Sequence, residues 1–197
     1  MKYPLSLKFK IIALRSKFFV TDGDNQPVLY VEQKLFKLKE HVEVFTNSTK
    51  EKKLCDIKAT KVIDWSSSYT FTDEQGNSLG GIRRKGLKSL WRARYEIYSG
   101  NGDEAAEFNV SEESVLVRIV DGLLGQLPIL GDLSGYIANP SYIVNDSSGN
   151  PVMRLRKKPA FLEGKFSIES LCELPASQQV QILVGLFMMV LLERNRG

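Results

Sequence analysis

The residues whose types and spacing point most directly to chemistry are basic. Arg83, Arg84 and Lys85, followed by Lys88, Arg92 and Arg94, form one cluster, and Arg154, Arg156, Lys157 and Lys158 form a second. A guanidinium offers a planar fork of donors that fits two oxygens of a phosphate, and a lysine adds a point charge. In extended chain, alternate side chains share a face. Arg154, Arg156 and Lys158 then line one side of a strand, and Arg83 and Lys85 one side of another. If these strands pack side by side they make a phosphate-binding wall; otherwise they are an ordinary solvated exterior. The candidate anion ligands are Arg83, Arg84, Lys85, Arg92, Arg94, Arg154, Arg156 and Lys158. Trp65 and Trp91 suit either a membrane interface or local packing.

Other reactive residue types are sparse. His41 is the only histidine and falls in an alternating run with Lys39 and Glu43, so it reads as an exposed strand residue. One histidine excludes a multi-histidine zinc site. Cys55 and Cys172 stand far apart with no metal or redox spacing, the pattern of reduced thiols in a cytoplasm. No serine or cysteine has an evident base partner, and neither phosphate-loop nor dinucleotide fingerprints occur. Asp22-Gly-Asp-Asn resembles the start of a calcium loop, but Gln26, Pro27 and Gln33 occupy places where a third oxygen ligand, a glycine and a glutamate are needed. A hairpin turn is the better reading. The expectation is a chain without a catalytic site, metal site or cofactor.

The net charge of +4 conceals segregation. Residues 1–98 carry 19 basic and 11 acidic side chains, residues 99–152 carry 1 and 8, and residues 153–197 carry 7 and 4. Such a field can steer an anionic partner to one side of the molecule. The opening residues alternate Leu5, Leu7 and Phe9 with Ser6 and Lys8, a strand pattern and not that of a signal peptide.

The elements that must position these groups follow from a recurrent pattern. Aligned on Asp22, Asp73 and Asp146, the chain shows Phe18, Tyr69 and Tyr142 four residues earlier and Val20, Phe71 and Val144 two earlier. Three residues later stand Asn25, Gly76 and Gly149, then Gln26, Asn77 and Asn150. Apolar residues two apart share a strand face. The aspartate can accept bonds from backbone amides just ahead, and Asn and Gly tolerate the positive φ of a short hairpin loop. Each copy (about 16–60, 67–110 and 140–174) therefore opens with a hairpin. Val28 and Val31 have opposite parity, which suggests a bulge or a strand buried on both faces.

Further alternating runs follow: Val42 and Val44, Tyr95 and Ile97, Phe166 and Ile168, then Leu54–Ala59 and Ala105–Val110. With the N-terminal strand these make about twelve, enough for a closed barrel. Ser111-Glu-Glu-Ser reads as a helix start, which predicts a short surface helix near 113–125 within a crossing segment. The whole chain, 1–197, is expected to be one domain.

Val180 to Leu192 is apolar except for Gln181 and Gly185. A helix apolar on every side is buried, in protein or in lipid. Thirteen residues reach only about 20 Å, so a core helix over 176–194 that fills the barrel is preferred to a membrane anchor.

Phe18-Phe-Val-Thr-Asp, Asp146-Ser-Ser-Gly-Asn-Pro-Val and Val180–Leu192 together resemble the tubby C-terminal-like superfamily, in its LURP-one-related and phospholipid scramblase branch. The resemblance implies a twelve-stranded barrel threaded by the C-terminal helix. Tubby-type domains bind phosphoinositide head groups and scramblase relatives act at membranes with calcium; neither set of functional residues maps onto this sequence.

The functional expectation is a non-catalytic domain that binds anionic phospholipid or phosphoinositide head groups, cytoplasmic and peripheral at the inner face of the membrane. A structural or protein-binding scaffold is the second reading. Nucleic-acid binding could use the same cations, but Asp103, Glu104, Glu107, Glu112 and Glu113 form an acidic stretch and no base-stacking motif is visible.

Overall fold

The computed structural model describes residues 1–12, 15–34, 41–63, 66–85, 94–100, 105–113, 140–160 and 164–194. The twelve strands are β1 Leu5–Ile12, β2 Arg15–Thr21, β3 Pro27–Lys34, β4 His41–Phe45, β5 Lys53–Ile63 and β6 Ser66–Thr72, then β7 Ser78–Arg84, β8 Arg94–Tyr98, β9 Ala106–Glu112, β10 Ser141–Asp146, β11 Pro151–Lys158 and β12 Gly164–Ser170. A helix, α1, covers Ala176–Arg194. Every strand pairs antiparallel with its neighbours in sequence, and β1 pairs with β12 to close the barrel. Closure gives each of the described strands a partner on both sides, which protects the strand edges that could template association.

The three hairpins β2–β3, β6–β7 and β10–β11 share one turn geometry. Asp22 Oδ1 accepts from the amides of Asp24 and Gln26, both at 3.0 Å. Asp73 Oδ1 accepts from Gln75 at 3.0 Å and Asn77 at 2.7 Å. Asp146 Oδ1 accepts from Ser148 at 2.9 Å and Asn150 at 2.8 Å. Asn25, Gly76 and Gly149 take positive φ, at 61°, 85° and 89°. These bonds hold Asp73 and Asp146 below the usual carboxylate range, led by the Asn77 side chain in one and the Asn150 amide in the other. Each hairpin also carries a bulge: Val20 faces Leu29 while Thr21 faces Pro27, which leaves Val28 without a partner, and Leu79 and Val152 sit likewise. The change of parity after Val28 is that bulge.

Inward residues of all twelve strands, among them Leu7, Phe18, Val44, Ile57, Phe71, Ile97, Val110 and Leu155, surround α1. Its eleven consecutive residues Gln181–Leu191 are buried, which accounts for a helix without a polar face. The helix is long and apolar enough to cross a membrane by length and composition, yet here its apolar surface is covered by strands. Pro175 precedes the helix, and its carbonyl accepts the first intrahelical bond, from Gln179. Gln181 Nε2 donates to the carbonyl of Tyr98 at 3.0 Å, so its buried amide finds a partner in the wall.

The helix start read at Ser111 is corrected. Ser111 and Glu112 belong to β9 and pair with Ile143 and Tyr142 of β10. Their cap-like composition yields to the ladder, which satisfies the same backbone groups. The rest of the expected helix near 113–125 lies outside the described residues, as do Trp65 and Trp91.

Candidate functional site

The cations singled out from the sequence fall on two separate walls. β7 and β11 are not neighbours; β8, β9 and β10 lie between them, so the two clusters do not form one continuous wall. Arg92 and Lys88 lie outside the described residues.

On the first wall, Arg83 stands directly opposite Glu96 of β8. Arg83 Nε donates to Glu96 Oε2 at 2.7 Å and Lys85 Nζ to Oε1 at 2.5 Å, so one carboxylate serves two cations. The Glu96 side chain is only 7% exposed. Loss of hydration raises its pKa, but bonds to Lys85 and Arg83 outweigh that and hold it below the usual range. The Arg83 guanidinium also lies 5.6 Å from the centre of the Tyr98 ring. That ring occupies the space over Gly81, where a Cβ would come within 2.3 Å of the Tyr98 hydroxyl. Arg84 has the opposite parity from Arg83 and interacts electrostatically with Tyr95, whose hydroxyl donates to Glu193 of α1. Arg94 is exposed at the start of β8.

On the second wall, Arg154 Nη2 donates to Glu113 Oε1 at 2.7 Å, and the Glu113 side chain, 4% exposed, also accepts from Ser141 Oγ at 2.8 Å. A carboxylate this deep requires such partners, since leaving it unpaired is costly. Arg156 Nε lies 3.7 Å from Glu169 Oε2. Lys157 and Lys158 are exposed. The outward face of β11 expected for Arg154, Arg156 and Lys158 is the one observed, with Leu155 between them at zero exposure.

Barrel closure sets beside Lys158 two cations that sequence reasoning missed, Lys165 and Lys8. Lys158 faces Lys165 of β12, and Lys165 faces Lys8 of β1. All three are exposed, and among the described residues none has an ion-pair partner. On the next rung Lys10 faces Lys17. The spacing of Lys8 and Lys10 shows that they share a face, but nothing local shows that β12 lies beside it.

His41 is half-exposed on β4, and its Nε2 lies 2.6 Å from Asp56 Oδ1. Lys53 bonds the same carboxylate, so Asp56 is shared between a histidine and a lysine on the outer wall. Cys55 is fully buried, and burial pushes its thiol up to about 12, which makes it a poor nucleophile. Cys172 is exposed. Among the described residues no group of three or more His, Cys, Asp or Glu side chains could hold a metal.

Residues 27–121 match the LURP-one-related family model. The matched stretch, just under half of the chain, runs from the start of β3 past the end of β9. It contains Arg83, Arg84, Lys85 and Arg94 and excludes β1, β11 and β12. The match agrees with the resemblance carried by the aspartate turns. A solved protein structure from Arabidopsis thaliana is similar over 95% of this chain and 91% of its own length, at 14% identity and a TM-score of 0.48. No curated protein matches the chain.

Proposed function

We propose that this chain is a non-catalytic binding domain that engages anionic phospholipid or phosphoinositide head groups at the cytoplasmic face of a membrane. The family match favours a binding role over catalysis. The observation that carries the ligand class is the outward basic face of β11, where Arg156 and Lys158 project beside Arg154 on a regular strand. A rigid strand holds their spacing, so several cations meet a phosphate surface without being ordered anew on binding. Arg94 offers a further exposed guanidinium on the other wall. Arg83, Arg84, Lys85 and Arg154 sit closer to protein carboxylates or rings and contribute through the surrounding field.

A protein-binding scaffold is the second reading. Arg83, Lys85, Arg154 and Arg156 already have carboxylate partners, as cations in a structural network do.

Flotation of the purified chain with neutral and with anionic vesicles tests the first reading. Binding is expected only to the anionic vesicles and should weaken as salt rises, because the Debye length falls to about 3 Å near 1 M. Absence of binding to anionic vesicles at low salt would leave the scaffold in front.

A further inference from the structure

We infer that the outer wall made by β11, β12, β1 and β2 is a docking face for an anionic bilayer surface, centred on Lys158, Lys165 and Lys8. The inference rests on the head-group reading above and extends its contact from Lys158 across the barrel seam to Lys165 and Lys8, which that reading does not include.

Three observations lead there. The first is register. Lys165 has a lysine directly opposite on each side, Lys158 on β11 and Lys8 on β1. Like charges in directly opposed cross-strand positions destabilise a sheet, so this row costs the fold stability that a Thr or Glu at Lys165 would recover. The second is contrast. Many other outward cations are neutralised: Arg83 and Lys85 by Glu96, Arg154 by Glu113, Arg15 and Lys50 by Glu32, and Lys53 by Glu43 and Asp56. Lys8, Lys158 and Lys165 are exposed and, among the described residues, have no such partner. The third is extent. Neighbouring strands lie about 4.8 Å apart, so the row crosses roughly 10 Å, and Lys10 and Lys17 add a second rung. That width addresses several head groups at once.

The wall, not an end of the barrel, faces the lipid. The hairpin end carries Asp22, Asp24, Asp73, Glu74 and Asp146 in its turns, which an anionic surface would repel. A bilayer is favoured over nucleic acid because Ser6 and Ser167 flank the row and Phe19 at its end packs on Tyr30, with ring centroids 5.1 Å apart. Among the described residues no exposed ring stands on the row to stack a base.

Lys165→Glu separates a docking role from an inert surface. It converts two like-charge contacts into two opposite-charge ones, so its melting temperature should match or exceed that of the wild-type chain. Its affinity for phosphatidylcholine vesicles doped with phosphatidylserine should fall by about thirtyfold, since each lysine near such a surface contributes roughly fivefold and a reversal counts twice. Lys52→Glu, an exposed loop change with the same net charge, should bind as the wild-type chain does. Equal losses in the two variants would show that only net charge matters and overturn the docking face. Wild-type affinity in Lys165→Glu, with loss in Arg94→Glu, would overturn the face while sparing the head-group reading. A wild-type chain that ignores the vesicles at low salt would sink both, and capture by an oligonucleotide instead would assign the row to nucleic acid.

Discussion

Gly80 provides the sharpest test of how the helix and the barrel fit together. It occupies the place that Leu29 and Met153 take in the other two hairpins, the first paired position after the bulge. By sequence alone it therefore looks replaceable by any apolar residue. In the structure its φ is +98°, and a Cβ would stand 2.2 Å from the carbonyl oxygen of Tyr98 and 2.7 Å from Gln181 Nε2. These are the two atoms of the bond that joins α1 to β8. Gly80→Ala therefore adds backbone strain of about 1–2 kcal/mol. Displacing a backbone carbonyl in a packed wall adds roughly 1–3 kcal/mol, and losing the buried bond costs on the order of 1 kcal/mol more. The total, about 3–6 kcal/mol, is a large share of the ~5–15 kcal/mol that holds a typical domain together. For a chain of this size it lowers the melting temperature by roughly 6–24 °C. Circular dichroism melts and urea titrations of Gly80→Ala and Gly149→Ala make the comparison. Gly149 has φ +89° but no atom within 4 Å of its virtual Cβ, so only the strain of about 1–2 kcal/mol applies there. If the two variants melt together, the close approach at Gly80 is not what the geometry says it is.

Other expectations follow from the same packing. A chain ending at Pro175 should be unfolded or aggregated by gel filtration and circular dichroism, because nine buried apolar side chains of α1 are lost, worth on the order of 15–25 kcal/mol; a monomeric, cooperatively melting product would favour a helix that serves outside the barrel. Glu32 is held down to about 2, chiefly by bonds to Lys50 and Arg15. Its folded pKa lies below its unfolded one, so its contribution is complete above about pH 4.5 and disappears as pH falls through about 2. The stability gap between wild type and Glu32→Gln should therefore be constant at neutral pH and close between pH 4.5 and 2; a gap unchanged at pH 2 would contradict the pairing. Finally, a maleimide should label Cys172 in the native protein and reach Cys55 only on unfolding, as Cys55 is fully buried with its thiol pushed up to about 12; native double labelling read by mass spectrometry would show that the wall at β5 opens.

What the sequence determined on its own is local. Asp22, Asp73 and Asp146 bond amides two and four residues ahead, and Asn25, Gly76 and Gly149 supply the positive φ, so every participant lies within a few positions. The same holds for α1, whose apolar character on all sides demands burial whatever surrounds it. The outward parity of Arg154, Arg156 and Lys158 follows from strand alternation alone. Tertiary structure decided the rest. The seam between β1 and β12 joins opposite ends of the chain and sets Lys8 against Lys165, a juxtaposition that no local spacing announces. Ser111 and Glu112 carry a helix-start composition, yet the ladder with β10 claims their backbone. Pairing of Arg154 with Glu113, and of Arg83 and Lys85 with Glu96, depends on which strands the closed meander makes adjacent. Gly80 is required because its φ is +98° and the Tyr98 carbonyl, which β8 places there and Gln181 of α1 bonds, stands where a Cβ would go. Turns and burial preferences are written in runs of a few residues, whereas register and closure arise only when twelve strands share one interior.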